Sequence, residues 1–201
     1  MNRSRLFSTP LLTAQVEGTA SLNGALAALL SEEASSVPSR LHSNAGGWHS
    51  AQDLTRRTAA PFRSLTAMLT HHLQQGLHAL VEEHEQKMPD RLAVSAQAWA
   101  MVMQSGDHSL AHHHGESHMS CVYYVDPGDP PPPDDPDAGA LVFLDPRGAI
   151  SGGPLSLYPP LHTLRPAPGL LAMFPGYLLH FVRPYRGQRP RISVAANFVL
   201  R

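Results

Sequence analysis

The chain has 201 residues and a mass of 21.8 kDa, with 15 Lys and Arg against 16 Asp and Glu, so its formal net charge is -1. That length suffices for one domain with a sizeable core, and the near-neutral balance gives no electrostatic footing for nucleic acid or an acidic membrane surface. The single cysteine, Cys121, excludes an internal disulfide framework and fits a reducing compartment.

Residues 1–17 read as an opening strand, with Leu6-Phe7 and Leu11-Leu12 around Pro10. Arg3 and Arg5 precede this apolar stretch, but Ser8, Thr9, Pro10 and Thr13 interrupt it, so it is not a signal-peptide core. No stretch approaches the roughly 20 apolar residues of a membrane span. A soluble, cytoplasmic protein is expected. Ser21 opens a helix carrying Leu22, Leu26, Leu29 and Leu30 at helical spacing, closed by Glu32-Glu33 and Ser35-Ser36-Val37-Pro38. Residues 38–49 read as a loop. In it Trp48, beside Gly46-Gly47, is either a plug for the core or a lid or wall of a substrate pocket.

Ser50 is a candidate N-cap for a short helix to about Arg57. Pro61 fits the first turn of a long helix, whose Phe62, Leu65, Leu69, Leu73, Leu77 and Leu80 form one apolar stripe. His71, His72, His78 and His84 fall mostly off that stripe and read as solvated. Met88-Pro89-Asp90 ends the helical half, residues 1–90. Residues 91–201 then read as a strand-rich core within the same single domain.

Leu92 to Gln104 reads as a long strand with Trp99 in it, and Ser105-Gly106-Asp107 as a turn. Strand candidates follow at 109–114, 119–126, 140–145, 156–164, 169–174, 178–183 and 190–200. Many short strands punctuated by turns predict a sandwich or barrel. Asp126 to Gly139 (DPGDPPPPDDPDAG) reads as an exposed, polyproline-like loop. Its aspartates lack the spacing of a calcium loop.

Chemistry concentrates in His112-His113-His114, just before the β-forming run Met119 to Asp126. On an extended strand His112 and His114 share a face while His113 points away. Two imidazoles on one face supply two legs of a metal site, and His180 is the candidate third. A polar edge strand binding metal adventitiously is the bland alternative. Near the C-terminus Arg191, Ser193, Ala195 and Asn197 share one face of a strand, and Ile192, Val194, Ala196 and Phe198 the other. A guanidinium on such a face needs an anion, and its fork matches a carboxylate. Ser193 can reach the same ligand, and Tyr124 can add a donor.

These residues carry a resemblance. His112 to Asp126, Gly139 to Arg147, Gly169 to Pro175, His180 and Arg191-Ile192-Ser193 resemble the Fe(II)/2-oxoglutarate-dependent oxygenases, nearest a bacterial prolyl-hydroxylase-like branch. Gly46-Gly47-Trp48 and Leu6 to Pro10 extend the likeness over nearly the whole chain. The resemblance implies a double-stranded β-helix, or cupin-like jelly roll, mainly β with N-terminal helices packed on one side. It implies Fe(II) held by His112 and His180, and 2-oxoglutarate held by the metal and by Arg191, helped by Ser193 and Tyr124. It implies a dioxygenase that hydroxylates a small-molecule or peptide substrate and releases succinate and CO2. His114 stands where the superfamily usually has Asp or Glu. Either it ligates, giving a three-His set, or water or Glu116 completes the site.

Arg147 either pairs with Asp145 or faces the pocket, and Asn197 has either a pocket or a structural role. Arg183, Arg186 and Arg189 read as rim charges. The alternatives to the oxygenase are a cupin-like three-His metalloenzyme that does not use 2-oxoglutarate, and a non-enzymatic jelly-roll binding protein. The sequence leaves a homodimer open.

Overall fold

The structure is a computed structural model and describes residues 7–40, 42–148 and 159–201. Its elements in chain order are β1 (Leu12–Gln15), α1 (Ala20–Ser36), β2 (Asn44–Ala45), β3 (Trp48–His49), a single 3-10 turn (Leu54–Arg56) and α2 (Ala60–Glu83). The β-rich half follows: β4 (Val94–Met103), β5 (His108–His112), β6 (Met119–Asp126), β7 (Leu141–Leu144), β8 (Leu161–Leu164), β9 (Leu170–Pro175), β10 (His180–Val182) and β11 (Arg191–Leu200). The described strands pair antiparallel in two sheets, ordered β1-β9-β6-β11-β4-β3 and β2-β5-β10-β7-β8. This is the double-stranded β-helix arrangement, with both helices against the six-stranded sheet.

Alternation along β4, β6 and β11 separates two jobs. Ala98, Ala100, Val102, Cys121, Tyr123, Val194, Ala196 and Phe198 face the helices and pack with Leu26, Leu30, Leu65, Leu69 and Leu73. Many of these sheet residues are small, which lets the α2 stripe lie close to the strands. Tyr123 Oη donates to Asn23 Oδ1 at 2.7 Å in this buried layer and so fixes α1 to β6. The other face of the same strands carries Trp99, Met101, Met103, Tyr124, Arg191 and Ser193 toward the second sheet. Apolar packing between the sheets comes from Leu141, Phe143, Phe174 and Leu178.

Several local expectations change. The loop over 38–49 contains the short strands β2 and β3, one on each sheet. Ser50 caps no helix. It is 1 % exposed, its Oγ accepts Ala100 N–H at 2.9 Å and donates to Ala51 O at 2.8 Å, and it continues the β3–β4 pairing. The expected helix after it is only the 3-10 turn. The opening strand shortens to β1, with residues 1–6 outside the described residues; of the strand expected at 156–164, residues 156–158 are also outside them.

The Pro/Asp stretch is held rather than dangling. Asp126 and Asp129 pair with Arg189, Asp134 with Arg186, Asp135 with Arg183 and Asp137 with Arg165. Exposed pairs of this kind contribute little singly. Tyr185 adds a buried clasp: its hydroxyl donates to Arg189 O and accepts Asp129 N–H, each at 2.7 Å.

Because the α2 stripe is the main filling between helices and sheet, Leu69→Ala should cost about 2–5 kcal/mol, read as a lowered urea midpoint. His78→Ala, on the exposed side of the same helix, should stay within about 0.5 kcal/mol of the parent.

Candidate metal centre

The antiparallel register sets His180 of β10 directly opposite His112 of β5. Directly opposed residues on one face are close neighbours, and the two rings stand 4.4 Å apart between centroids. His114 reaches them differently from the expected strand alternation. β5 ends at His112, and His114 lies just beyond it, where its N–H donates to Gly176 O at 2.7 Å and its carbonyl accepts Ser117 N–H at 2.8 Å. That turn brings the His114 ring to 5.1 Å from His112 and 5.2 Å from His180. One ring nitrogen from each of the three lies within 4.8 Å of the others. His113 lines the same cavity but is not in the three-nitrogen group.

Two of the rings are oriented by main chain. His112 Nδ1 lies 2.7 Å from Leu110 O, and His180 Nδ1 lies 2.8 Å from Leu178 O. A carbonyl can only accept, so Nδ1 carries the proton and each Nε2 keeps its lone pair. Burial, with the neighbouring imidazoles, pulls the His114 pKa down to about 3 and that of His180 to about 4. Burial also lowers His112. Neutral imidazoles with a free lone pair are what a cation site of this type requires.

The triad opens on a cavity of about 320 Å³ walled by Trp99, Met101, Met103 and Val182, with Arg191 and Ser193 at its inner end. Arg191 is 1 % exposed. Its Nη1 is 3.4 Å from both Met103 Sδ and Ser193 Oγ, its Cζ lies 5.1 Å from the Tyr124 ring centroid, and its Nε has no hydrogen-bond partner. The buried Tyr124 hydroxyl also has none. Burial lowers the Arg191 pKa and raises that of Tyr124, each shift opposed by the other residue. Among the described residues no carboxylate pairs with this guanidinium. An unpaired buried cation costs several kcal/mol, so this end of the cavity is built to receive an anion.

Other candidate residues fall elsewhere. Trp48 packs in the core against the helices, with Nε1 donating to Val37 O at 2.9 Å, and does not line the cavity. Arg147 pairs with Asp145 beside a separate cavity lined by Thr9, Leu11, Pro160 and His162. Asn197 accepts from Ser120 Oγ at 2.8 Å and faces an adjoining cavity. Glu116 is exposed in that adjoining cavity and is not in the three-nitrogen group. Sequence reasoning missed His42, His49 and Gln52, which line the main cavity. His49 stacks on Trp99 at 5.6 Å between centroids with a 14° tilt. Only its place beside Gly46-Gly47-Trp48 could have flagged it.

A family model described as "Putative 2OG-Fe(II) oxygenase" matches residues 97–197. No curated relative matches the sequence. Among solved structures, a Pseudomonas putida prolyl-4-hydroxylase is similar over 95 % of this chain and 92 % of its own, at 19 % identity and a TM-score of 0.63. A Trichoplax adhaerens prolyl hydroxylase, in complex with a hypoxia-inducible-factor peptide fragment, is similar over 94 % and 82 % at 12 % identity and 0.61. HygX from Streptomyces hygroscopicus, with nickel and 2-oxoglutarate bound, is similar over 94 % and 82 % at 13 % identity and 0.58. At these identities the likeness speaks for the fold.

A Cβ on Gly176 would stand 2.7 Å from His114 O and closer still to Ser117 O. Gly176→Ala should therefore push the His114 turn away and weaken Co(II) binding roughly 10–100-fold, the size of losses when a ligand's support is removed. Titration monitored by Co(II) absorption, with circular dichroism to check folding, measures this.

Proposed function

The chain belongs to the 2OG-Fe(II) oxygenase family, and on that premise we propose that His112, His114 and His180 hold its iron while Arg191, Ser193 and Tyr124 hold its 2-oxoglutarate. The protein is an Fe(II)- and 2-oxoglutarate-dependent oxygenase. Bound there, the two groups supply oxidation of a substrate C–H bond by O2, with loss of CO2 and succinate.

The observation that carries the residue assignment is the buried Arg191, whose Nε lacks a partner. 2-Oxoglutarate has a carboxylate at each end. Its far carboxylate matches the guanidinium fork, and the Ser193 and Tyr124 hydroxyls stand ready to donate to it. A cupin-like site that used no 2-oxo acid would leave Arg191 without a role. The three imidazoles, kept neutral by burial and two of them oriented by carbonyls, supply a nitrogen-only face. Trp99, Met101 and Met103 keep water from the inner end and strengthen every charge interaction there.

We take the substrate to be a small molecule or a peptide, the latter in line with the peptide held by the Trichoplax relative. Among the described residues no helix is long and apolar enough to cross a membrane, and the free thiol of Cys121 suits the cytoplasm.

Arg191→Leu should weaken 2-oxoglutarate binding by about 2–5 kcal/mol, the cost of stranding one partner of a buried charge pair. Anaerobic titration of the Fe(II) protein, followed by its visible charge-transfer band, reads this. Succinate formed without added substrate should fall in parallel. Unchanged affinity would remove Arg191 from the role.

A further inference from the structure

The triad's cavity does not end at the metal ligands. A second cavity of about 430 Å³ adjoins it and shares Gln52 and His114 as walls. The β4–β11 register shows how the two are joined. On the inner face Arg191 stands opposite Met103, Ser193 opposite Met101, Ala195 opposite Trp99, Asn197 opposite Gln97 and Val199 opposite Ser95. One strip of sheet thus runs from a buried cation, through an apolar middle beside His114, to a pair of carboxamides at the outer end. If 2-oxoglutarate takes the Arg191 end, as proposed above, the carboxamide end is left for the substrate.

Three carboxamides line that end, those of Gln52, Gln97 and Asn197. Among the described residues the side chains of Gln52, half-buried, and Gln97, exposed, have no protein hydrogen-bond partner and are open to a ligand's. Asn197 spends its Oδ1 on Ser120 Oγ, which leaves its NH2 without an acceptor. A carboxamide both donates and accepts, as a peptide group does. The charges bordering this cavity are one of each sign, Glu116 and Arg201, both exposed. From Trp99 to Ser95 the strip is about 14 Å long, and side chains on one face repeat about every 6.8 Å. An extended polypeptide has nearly the same repeat. Its peptide groups can therefore meet successive side chains in step.

An oligosaccharide fits these observations less well. Sugar rings are held against an open aromatic face, whereas Trp99 is 6 % exposed and one of its faces is covered by His49. We infer that Gln52, Gln97 and Asn197 bind the main chain of an extended, uncharged polypeptide segment and present one of its residues beside His114. These are specificity-determining residues of the oxygenase site, and the inference rests on 2-oxoglutarate occupying the Arg191 end.

The side-chain NH2 groups of these three residues are themselves NMR reporters. An N-acetylated, C-amidated Gly-Ser hexapeptide should shift the NH2 signals of Gln52, Gln97 and Asn197 saturably, in protein loaded with Zn(II) and 2-oxoglutarate. Gln97→Ala and Asn197→Ala should each weaken that binding about fivefold, the loss of one hydrogen bond. Maltotriose should leave the three signals in place. No response to the hexapeptide, or an equal or larger response to maltotriose, overturns the inference. Unchanged hexapeptide affinity in both folded variants overturns it as well. Binding of 2-oxoglutarate is measured separately by calorimetry before peptide is added. Its failure counts against the assignment of Arg191, whereas a hexapeptide failure in protein that does bind 2-oxoglutarate counts only against the carboxamide groove.

Discussion

The antiparallel register between β5 and β10 is the constraint on which the site depends. It sets His112 against His180 across one pair of strands. A slip of one residue would turn every side chain of β10 to the other face, and His180 would leave the cavity. The register is held from both sides: Val182 N–H donates to Ser109 Oγ at 2.8 Å, while β7 pairs along the other edge with Phe143 opposite His180. Phe143 and Phe174 then pack on the His180 ring. The second sheet thus positions His112 and His180, whereas the six-stranded sheet is supported from outside by the helices and presents Arg191, Ser193 and Tyr124 inward.

Those two supports differ in kind. Behind the six-stranded sheet lies a continuous apolar layer, so β11 can afford a buried guanidinium on its inner face without losing its place. Arg191 is framed by Met103, Ser193 and Tyr124, none of which neutralises it. The fold accepts this locally unfavourable arrangement at the wall of the cavity, and functional sites are where an otherwise consistent sequence is expected to break its own rules.

Strand alternation and helix spacing were legible because burial imposes a period of two or of about 3.6 residues. The long strand with Trp99, the run Met119–Asp126, the α2 stripe and the split faces of Arg191 to Phe198 all read directly. His180 was also the candidate partner of His112 from the residues themselves, and the family resemblance pointed to the same pair. What failed depended on contacts distant in sequence. Ser50 looked like a helix cap because its partner, the Ala100 main chain, is fifty residues away. His114 was expected on a strand, but it is Gly176, far along the chain, that anchors it outside β5. Tyr185 gave no sign of burial in the sequence, because that burial follows from Asp129 and Arg189 closing over it. The aspartates of the Pro-rich stretch gave no hint that arginines farther on would pair with them.

The third imidazole, finally, changes the electrostatics that the cavity must bear. If the three imidazoles hold the iron as proposed, the charge of a ferrous ion and that of a 2-oxoglutarate dianion would cancel, and Arg191 would be left as the one formal charge of the assembly. A carboxylate in place of His114 would have balanced Arg191 instead. The difference falls on the walls. Trp99, Met101, Met103 and Val182 offer no counter-charge, and an apolar surround penalises net charge more than a neutral pair. A site with three histidines would therefore keep one uncompensated positive charge and would disfavour a cationic substrate more than the two-His-one-carboxylate set does. The carboxamides at the outer end of the same strip neither add to that charge nor offset it.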